Sequence, residues 1–365
     1  AGVAKLMDKL IVESKSTPGL QRLITALGEL KTEAEVSAAV SQLHPLLTGP
    51  QSAALSGGVG AISQVVQSRA EGSQGMSSGD AMPGEKQGQI FDDSYMWLKG
   101  FGSMADQGTV GGITGFDADS SGLVIGLDGA PTDKDRIGVA FAYAQTDVDS
   151  KDNLNSVDIN TYQLVGYGSN SLTDDTQFSY QASYGVHQSE GSRNISIVST
   201  IATSDFDSTS MGAGFGLLHS FKISDQLTIT PSLRNDYTYM DNDGYTETGA
   251  GSLSLIVDSN DSEQWLFDLS SKAVYSLTES INLTGNLGAS YDVINEQSTS
   301  LSAFAGSPGN VFTTQGLKSD PWLYSAGIGL VMETDSGTTI TAHYDYSTRD
   351  DFDNQSISLK ARWMF

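Results

Sequence analysis

Hydrophobic and polar positions alternate strictly along the last stretch of the chain, from Gln355 to Phe365. With a period of two, one face of a strand carries the cations Lys360 and Arg362. The other face is apolar and aromatic, with Ile357, Leu359, Ala361, Trp363 and Phe365. One face for lipid and one for a polar interior are typical of a membrane β-barrel strand. The last strand of a soluble β-domain is the alternative that this segment alone leaves open.

The same period of two continues through most of the chain from Ser94 onward. Between residues 135 and 147, for example, Val139 and Phe141 alternate with Gly138 and Ala140. Most segments are longer than the five or six residues usual for soluble strands. The pattern predicts about twelve strands: 94–104, 117–128, 135–147, 156–169, 176–189, 205–221, 226–240, 262–277, 281–296, 320–334, 338–347 and 355–365.

Connections between these strands alternate between two lengths. Short ones are 129–134, 170–175, 222–225, 278–280 and 335–337, and long ones are 105–116, 148–155, 190–204, 241–261 and 297–319, with 348–354 intermediate. Short periplasmic turns and long outer loops are typical of an up-and-down outer-membrane barrel. The sequence therefore predicts an all-β transmembrane fold, a 12-stranded antiparallel up-and-down barrel with its loops at the cell surface.

Helical periodicity is confined to the first 72 residues. Pro18 suits a first helical turn, and Thr32 with Glu35 resembles a capping box. A further helix is predicted at Gln51–Arg69, about 30 Å long and rich in small and polar residues. A narrow polar tube such as a barrel lumen would suit this helix, and a marginal surface helix or linker is the alternative. The residues expected to meet the lumen are Ser52, Ser56, Gly57, Gly60, Gln64, Gln67 and Arg69.

A stretch rich in Gly and Ser separates the helices from the strands and predicts a flexible linker. The expected organisation is a helical tail at 1–46, a lumenal helix at 47–72, a linker at 73–93 and the barrel at 94–365. Because the sequence begins Ala1-Gly2 without Met, we expect it to be part of a longer chain.

Composition narrows the class of partner. The net charge of -25 argues against nucleic acid, whose phosphates would be repelled. The chain has 40 glycines and no cysteine, which suits a protein that crosses an oxidising periplasm. No metal-ligand spacing is present around the four histidines, so neither a metal nor another cofactor is predicted.

Charged side chains within the strands fall mostly on one face, which must be the lumen because charges facing lipid are costly. They could hold polar groups of the helix, or pair with each other across the wall, and the sequence leaves both open. Alternation does not decide whether Trp97 and Lys99 face inward. The lumen-lining candidates are Asp128, Arg136, Arg234, Asp236, Asp268, Lys272, Asp292, Glu333, Lys360 and Arg362.

Five segments, in order, resemble the autotransporter translocation domain of type V secretion. They are Tyr95–Gly102, Gly115–Asp128, Arg136–Tyr143, Asp241–Ala250 and Gln355–Phe365, similar to three opening strands, the fourth outer loop and the closing strand. The resemblance implies a monomeric barrel in outer-membrane lipid, plugged by the helix near 51–69. It also implies that residues 1–46 are the tail of an exported amino-terminal passenger, or a stalk that leads to it.

The resemblance further implies help from the barrel-assembly machinery, which would read a terminal signal at Leu359, Ala361, Trp363 and Phe365. Some family members cut the lumenal helix at an Asn-Asn pair, which this sequence lacks.

Two other functions fit a barrel. One is a surface barrel that binds a partner through its long acidic loops. The other is a barrel hydrolase, suggested by His187 close to Ser189 and Glu190, although no Gly-x-Ser-x-Gly elbow supports it.

Overall fold

Long antiparallel strands make up most of the computed structural model, which describes residues 3, 7–15, 17–46, 50–70, 92–334 and 336–364. The predicted linker lies outside the described residues as far as residue 91, and so does Phe365. The strands are β1 (Asp92–Gln107), β2 (Phe116–Thr132), β3 (Asp135–Ser150), β4 (Asn155–Ser171), β5 (Thr176–Ile195), β6 (Thr200–His219), β7 (Phe221–Lys222), β8 (Leu227–Asn242), β9 (Tyr245–Thr246), β10 (Leu255–Val257), β11 (Asn260–Ser276), β12 (Ile281–Asp292), β13 (Thr299–Phe304), β14 (Ser307–Gln315), β15 (Trp322–Glu333), β16 (Thr339–Arg349) and β17 (Phe352–Met364).

Twelve of these strands form a closed barrel, because the first and last strands pair. Tyr95 of β1 lies opposite Met364 of β17, and Gln107 lies opposite Phe352. Elsewhere each long strand pairs with the next along the chain, and β6–β8, β8–β11 and β12–β15 pair directly across the short strands. The predicted 12-stranded antiparallel barrel is confirmed.

The barrel wall has an apolar outside. On β2 the outward side chains Leu123, Ile125 and Leu127 are exposed, and similar residues follow on the other long strands. Closer to the outer loops, the outward positions of β2 become acidic at Asp117 and Asp119. Part of the net negative charge therefore lies on strand ends above the apolar band.

Strands continue into several segments that the sequence predicts to be long loops. β5 and β6 extend to Ile195 and from Thr200, so segment 190–204 shortens to a turn around the 3-10 helix Ser196–Val198. Segments 148–155 and 348–354 likewise shorten to the turns 151–154 and 350–351. The prediction of long loops is wrong at 190–204 and 148–155, and the connection predicted to be intermediate at 348–354 is also shorter. In each case alternating side chains keep pairing beyond the membrane.

The remaining outer segments form a small second sheet, which we call the outer platform. Its strands lie in the order β14-β13-β10-β9, and the 3-10 helix Gly251–Leu253 precedes β10. Buried apolar side chains fill it, including Leu255, Phe304 and Phe312, and Tyr245 stacks on Phe206 of the extended β6 at 4.7 Å.

Three of the described helices cover the outer platform: α1 (Met7–Ser14), α2 (Pro18–Glu29) and α3 (Glu33–Ser41). Pro18 begins α2 as predicted, and the capping box of Thr32 and Glu35 is confirmed at the start of α3. Leu10, Leu20, Leu23 and Leu27 share one hydrophobic core with the platform. These helices, which we call the outer helical module, are thus packed onto the barrel's outer end.

Candidate functional site

A fourth helix, α4 (Pro50–Ala70), lies inside the barrel. It packs against β2, β3, β4 and β5, with Ile62, Val65 and Val66 buried against the wall. Its 21 residues span about 32 Å, close to the predicted extent of 51–69. Among the described residues, no helix combines the length and apolarity needed to cross a bilayer.

Small inward side chains on β3 make room for α4. Ala140, Ala142 and Ala144 lie in the same buried cluster as Val65 and Val66. Alternating glycines also occur on other strands, at 212, 214 and 216 and at 327 and 329. They serve a different purpose: a Cβ at Gly214 would meet Asp236 at 2.0 Å, and one at Gly327 would meet Asp345 at 2.3 Å. Those glycines accommodate side chains of neighbouring strands.

Arg69 joins the last turn of α4 to the barrel wall. Its Nε and Nη2 donate to the two carboxylate oxygens of Asp128 on β2, each at 2.5 Å. Arg136 donates to the same carboxylate at 2.6 Å, and the Tyr167 hydroxyl donates to it at 2.7 Å. Both Arg69 and Asp128 are buried, so the two-bond geometry satisfies charges that water does not reach. We call this group the Asp128 anchor.

Aromatic rings complete the Asp128 anchor. The Tyr95 ring lies 5.4 Å from the Arg69 guanidinium carbon, and the guanidinium carbons of Arg136 and Arg362 lie 5.1 and 4.7 Å from it. In such cation–π contacts the negative face of the aromatic ring attracts each cation electrostatically. Trp97 donates from its indole nitrogen to the Tyr167 hydroxyl at 2.7 Å.

Glycine is required beside these rings. A Cβ at Gly126 would lie 2.3 Å from the Trp97 ring. Only a residue without a side chain leaves room for the indole at this position of β2.

Trp97 and Lys99, whose direction the sequence left open, both face inward. Trp97 is fully buried, and Lys99 lines a cavity in the lumen. Gln177 donates to the carbonyl oxygen of Ala70 at 3.1 Å and fixes the end of α4.

The other lumen-lining candidates lie on the wall away from α4, except Arg362, which lies over the Tyr95 ring beside the Asp128 anchor. Arg234 donates to Asp236 from Nε at 2.6 Å, which pairs charges within the wall. Asp268 accepts from Ser270 and Ser290 at 2.7 and 2.8 Å. Both arrangements that the sequence left open are therefore present: Asp128 holds the helix, and Asp236 pairs within the wall. Lys272, Asp292 and Lys360 line the cavity, Arg362 donates to Thr339, and Glu333 is half-buried at the end of β15.

Of the residues expected on the lumenal helix, Gly60, Gln64 and Gln67 line the cavity. Ser52, Ser56 and Gly57 belong to α4, but their side-chain surroundings lie outside the described residues. On β17, Leu359 is exposed outward, Ala361 and Trp363 are half-buried on the same face, and Phe365 is not described.

Two features of the outer end were missed by sequence reasoning. The first is a buried cluster in which Leu46 and Val59 lie with inward apolar residues of the barrel wall, among them Phe116, Val157 and Met240. Alternation at 157–159 could have revealed it, because Val157 and Ile159 share the inward phase of β4.

The second missed feature is a buried ion pair in the outer platform. Arg193 donates to Glu247 from Nε at 2.8 Å and from Nη2 at 2.5 Å. It also donates to the backbone carbonyl oxygens of Leu253 and Gln42, at 3.1 and 2.8 Å. One guanidinium thus ties the barrel to both the outer platform and the end of the outer helical module.

His187 is buried in the wall with hydroxyl partners. Its Nδ1 lies 2.9 Å from the Thr161 hydroxyl, and its Nε2 lies 2.9 Å from the Ser210 hydroxyl. A serine triad needs a carboxylate on the second ring nitrogen, where this histidine has a threonine. No group of three His, Cys, Asp or Glu suited to a metal occurs among the described residues.

The fold and this site define a class of protein: a closed β-barrel that holds a helix of its own chain in the lumen. The chain belongs to the autotransporter beta-domain family, whose sequence profile matches residues 96–345. It is a translocator-type barrel of the bacterial outer membrane.

Relatives of known sequence are outer-membrane proteins. Outer membrane protein B of Rickettsia prowazekii is 23% identical over 358 residues, which cover 93% of this chain and 21% of that protein. Outer membrane protein A of Rickettsia conorii is 27% identical over 173 residues, 44% of this chain and 8% of that protein. The chain spans about a fifth of the length of the first of these relatives.

Two solved structures share the fold. The translocator domain of the autotransporter NalP from Neisseria meningitidis has a TM-score of 0.68 at 16% identity, covering 86% of this chain and 98% of that one. The beta domain of the Bordetella autotransporter Brka has a TM-score of 0.55 at 14% identity, covering 75% and 100%.

Proposed function

We propose that this barrel exports and anchors an amino-terminal passenger of its own chain, and that α4 plugs the pore after export. Residues 1–46 are the end of that passenger or a stalk that leads to it. One observation carries the proposal: the outer helical module contacts the outer platform, while the end of α4 contacts Asp128, close to the short turn after β2. This arrangement, with one part of the chain on the outer loops and the next inside the lumen, is the one that export of the preceding segment would leave.

The test follows the amino terminus. An epitope fused before Ala1, behind a secretory signal, should be removed by external protease from intact Gram-negative cells. Deleting residues 51–69 should abolish that exposure, because the helix that occupies the lumen is then missing. Deletion of an equal length from the linker at 73–91 is the control and should leave the tag exposed.

A protected tag beside a cleaved outer loop would contradict export. It would instead favour the surface barrel that binds a partner through its acidic loops.

We further propose that the chain is a monomer, assembled by the barrel-assembly machinery and working without a catalytic step or a cofactor. The pairing of β1 with β17 supports a monomer, because a closed sheet has no free edge to offer a second copy. Export and anchoring as proposed here require only the barrel, the surrounding lipid and the passenger end of the same chain.

The proposed assembly signal is tested at the carboxy terminus. Trp363→Ala with Phe365→Ala should lower the folded barrel in the outer membrane several-fold, measured as the fraction of heat-shifted band on a gel. Leu330→Ala, which removes an exposed apolar side chain from β15, is the control and should assemble normally. Equal assembly of both variants would contradict a signal at the terminus.

A further inference from the structure

The connection from the outer helical module to α4 is held on both sides of His44. Leu43 is fully buried in the core that the module shares with the outer platform. Leu46 is buried with inward residues of the barrel wall, and Pro45 between them is buried as well. The backbone at His44 therefore has little freedom to move while the module is docked.

The residue at the end of α3 is fastened to β5 and to the turn that follows it. The backbone carbonyl oxygen of Gln42 accepts from Nη1 of Arg193 at 2.8 Å. The side-chain oxygen of Gln42 accepts from the Ser196 hydroxyl at 3.1 Å and from the backbone nitrogen of Ile197 at 3.2 Å. These bonds hold the end of the module to the barrel, two residues before His44.

The imidazole of His44 lies among positive charges. The charged groups that act on it are the amino terminus and Arg193. Glu247, the carboxylate that compensates Arg193, is already engaged: it accepts twice from that guanidinium and once from the backbone nitrogen of Leu255. Protonation of His44 would therefore add a cation beside a fully buried guanidinium whose counter-charge is in use, and like charges disfavour each other most where water is excluded.

We propose that His44 is an acid-sensitive release point, at which protonation detaches the outer helical module from the barrel while α4 stays in the lumen. The Asp128 anchor holds the other end of α4 independently of the module. The inference adds regulation to the proposed function and rests on the module lying outside the cell. In acidic surroundings the passenger end would leave the outer platform and stay attached to the barrel only through α4.

The direction of the effect follows from the surroundings of the imidazole. Burial, together with the positive charges of the amino terminus and Arg193, lowers the pKa of His44 below its ordinary value of 6.5. Once the module is detached, the imidazole meets water and takes up a proton at its ordinary pKa. Docking is therefore at full strength above about pH 6.5 and weakens below it, by at most about tenfold per pH unit because a single proton is bound.

The test measures docking with a pair of nitroxide labels. Val12 on α1 and Ile201 on β6 are exposed, and the native chain has no cysteine, so Val12→Cys with Ile201→Cys gives one labelled pair. The protein carries the epitope before Ala1, which moves the amino-terminal charge away from His44. In detergent micelles, urea is raised until the short distance of the docked module is lost, while a heat-shifted band on a gel verifies the folded barrel. Linear extrapolation to zero urea gives the docking constant at pH 7.5 and at pH 5.5.

Neutral substitutions isolate the contribution of His44. The docking constant of the parent should fall at the lower pH by three- to tenfold more than that of His44→Gln or of a second neutral variant, His44→Leu. A loss that comes from carboxylates would appear equally in all three proteins. His219→Gln, at the end of β6 away from the module, is the matched control and should respond to pH as the parent does.

Three results would overturn the proposal. The first is a parent that docks equally well at both pH values. The second is neutral variants that lose as much docking as the parent. The third is rapid maleimide labelling of a separate Val66→Cys variant at pH 5.5 relative to an exposed thiol, since α4 would then have left the wall together with the module. Export is measured on intact cells at neutral pH, so either proposal can fail alone.

Discussion

Asp128→Asn is expected to release α4 from the barrel wall. The change keeps the shape of the side chain but removes the charge that Arg69 and Arg136 share beside Tyr95. Removing one partner of a buried ion pair costs about 3–5 kcal/mol. The midpoint of heat-induced barrel unfolding should fall, and the thiol of an added Val66→Cys substitution should react with maleimide at least tenfold faster.

Asp236→Asn is the matched control for this variant. It removes a carboxylate from an ion pair with Arg234 within the wall. Some stability should be lost, but the Val66→Cys thiol should stay as protected as in the parent. Equal protection of that thiol in the Asp128 and Asp236 variants would show that the Asp128 anchor does not hold the helix.

Glu247→Gln is expected to loosen the outer helical module while leaving the barrel folded. Glu247 compensates the buried charge of Arg193, and it also accepts from the backbone nitrogen of Leu255 at 2.7 Å. An unpaired guanidinium in that core again costs about 3–5 kcal/mol. Trypsin should then cleave at exposed sites such as Lys15 and Arg22 on intact cells, at least tenfold faster than in the parent.

Two comparisons sharpen this test. Arg193→Met with Glu247→Leu should be more resistant to trypsin than Glu247→Gln, because apolar residues of similar volume often replace a buried pair without loss. Lys151→Met breaks an exposed pairing with Asp106 and Asp117, worth about 0–1 kcal/mol, and should leave cleavage unchanged. Rapid cleavage of the Lys151 variant, or none of the Glu247 variant, would contradict a role for Arg193 and Glu247 in docking.

The sequence was informative wherever lipid constrains it. A strand between lipid and lumen must alternate, so all twelve long strands could be predicted, including the last one, β17. The helix could be predicted from its small and polar residues, which suit a confined space. The side of the lumen on which the helix packs could not be predicted. In the sequence, Ala140 and Ala142 look no more suitable for contact with a helix than the glycines of other strands.

The alternation of polar and apolar residues could not predict which side chains contact each other over long distances in the sequence. Arg69 and Asp128 were both candidate site residues, but they are 59 positions apart, and alternation gives a face without naming a partner. The outer platform was missed for another reason. Beyond the membrane, short strands such as β9 and β10 carry no long period, and their burial depends on helices from the other end of the chain.

The outer helical module also determines how the molecule would respond to mechanical force. Val3 is fully buried in the core shared by the module and the platform, ahead of α4 in the chain. Tension applied at the amino terminus would therefore load that core, and the bond from Arg193 to the Gln42 carbonyl, before any of it reached α4. A pull at the cell surface would have to shear the module from the barrel before it could draw the helix out of the lumen.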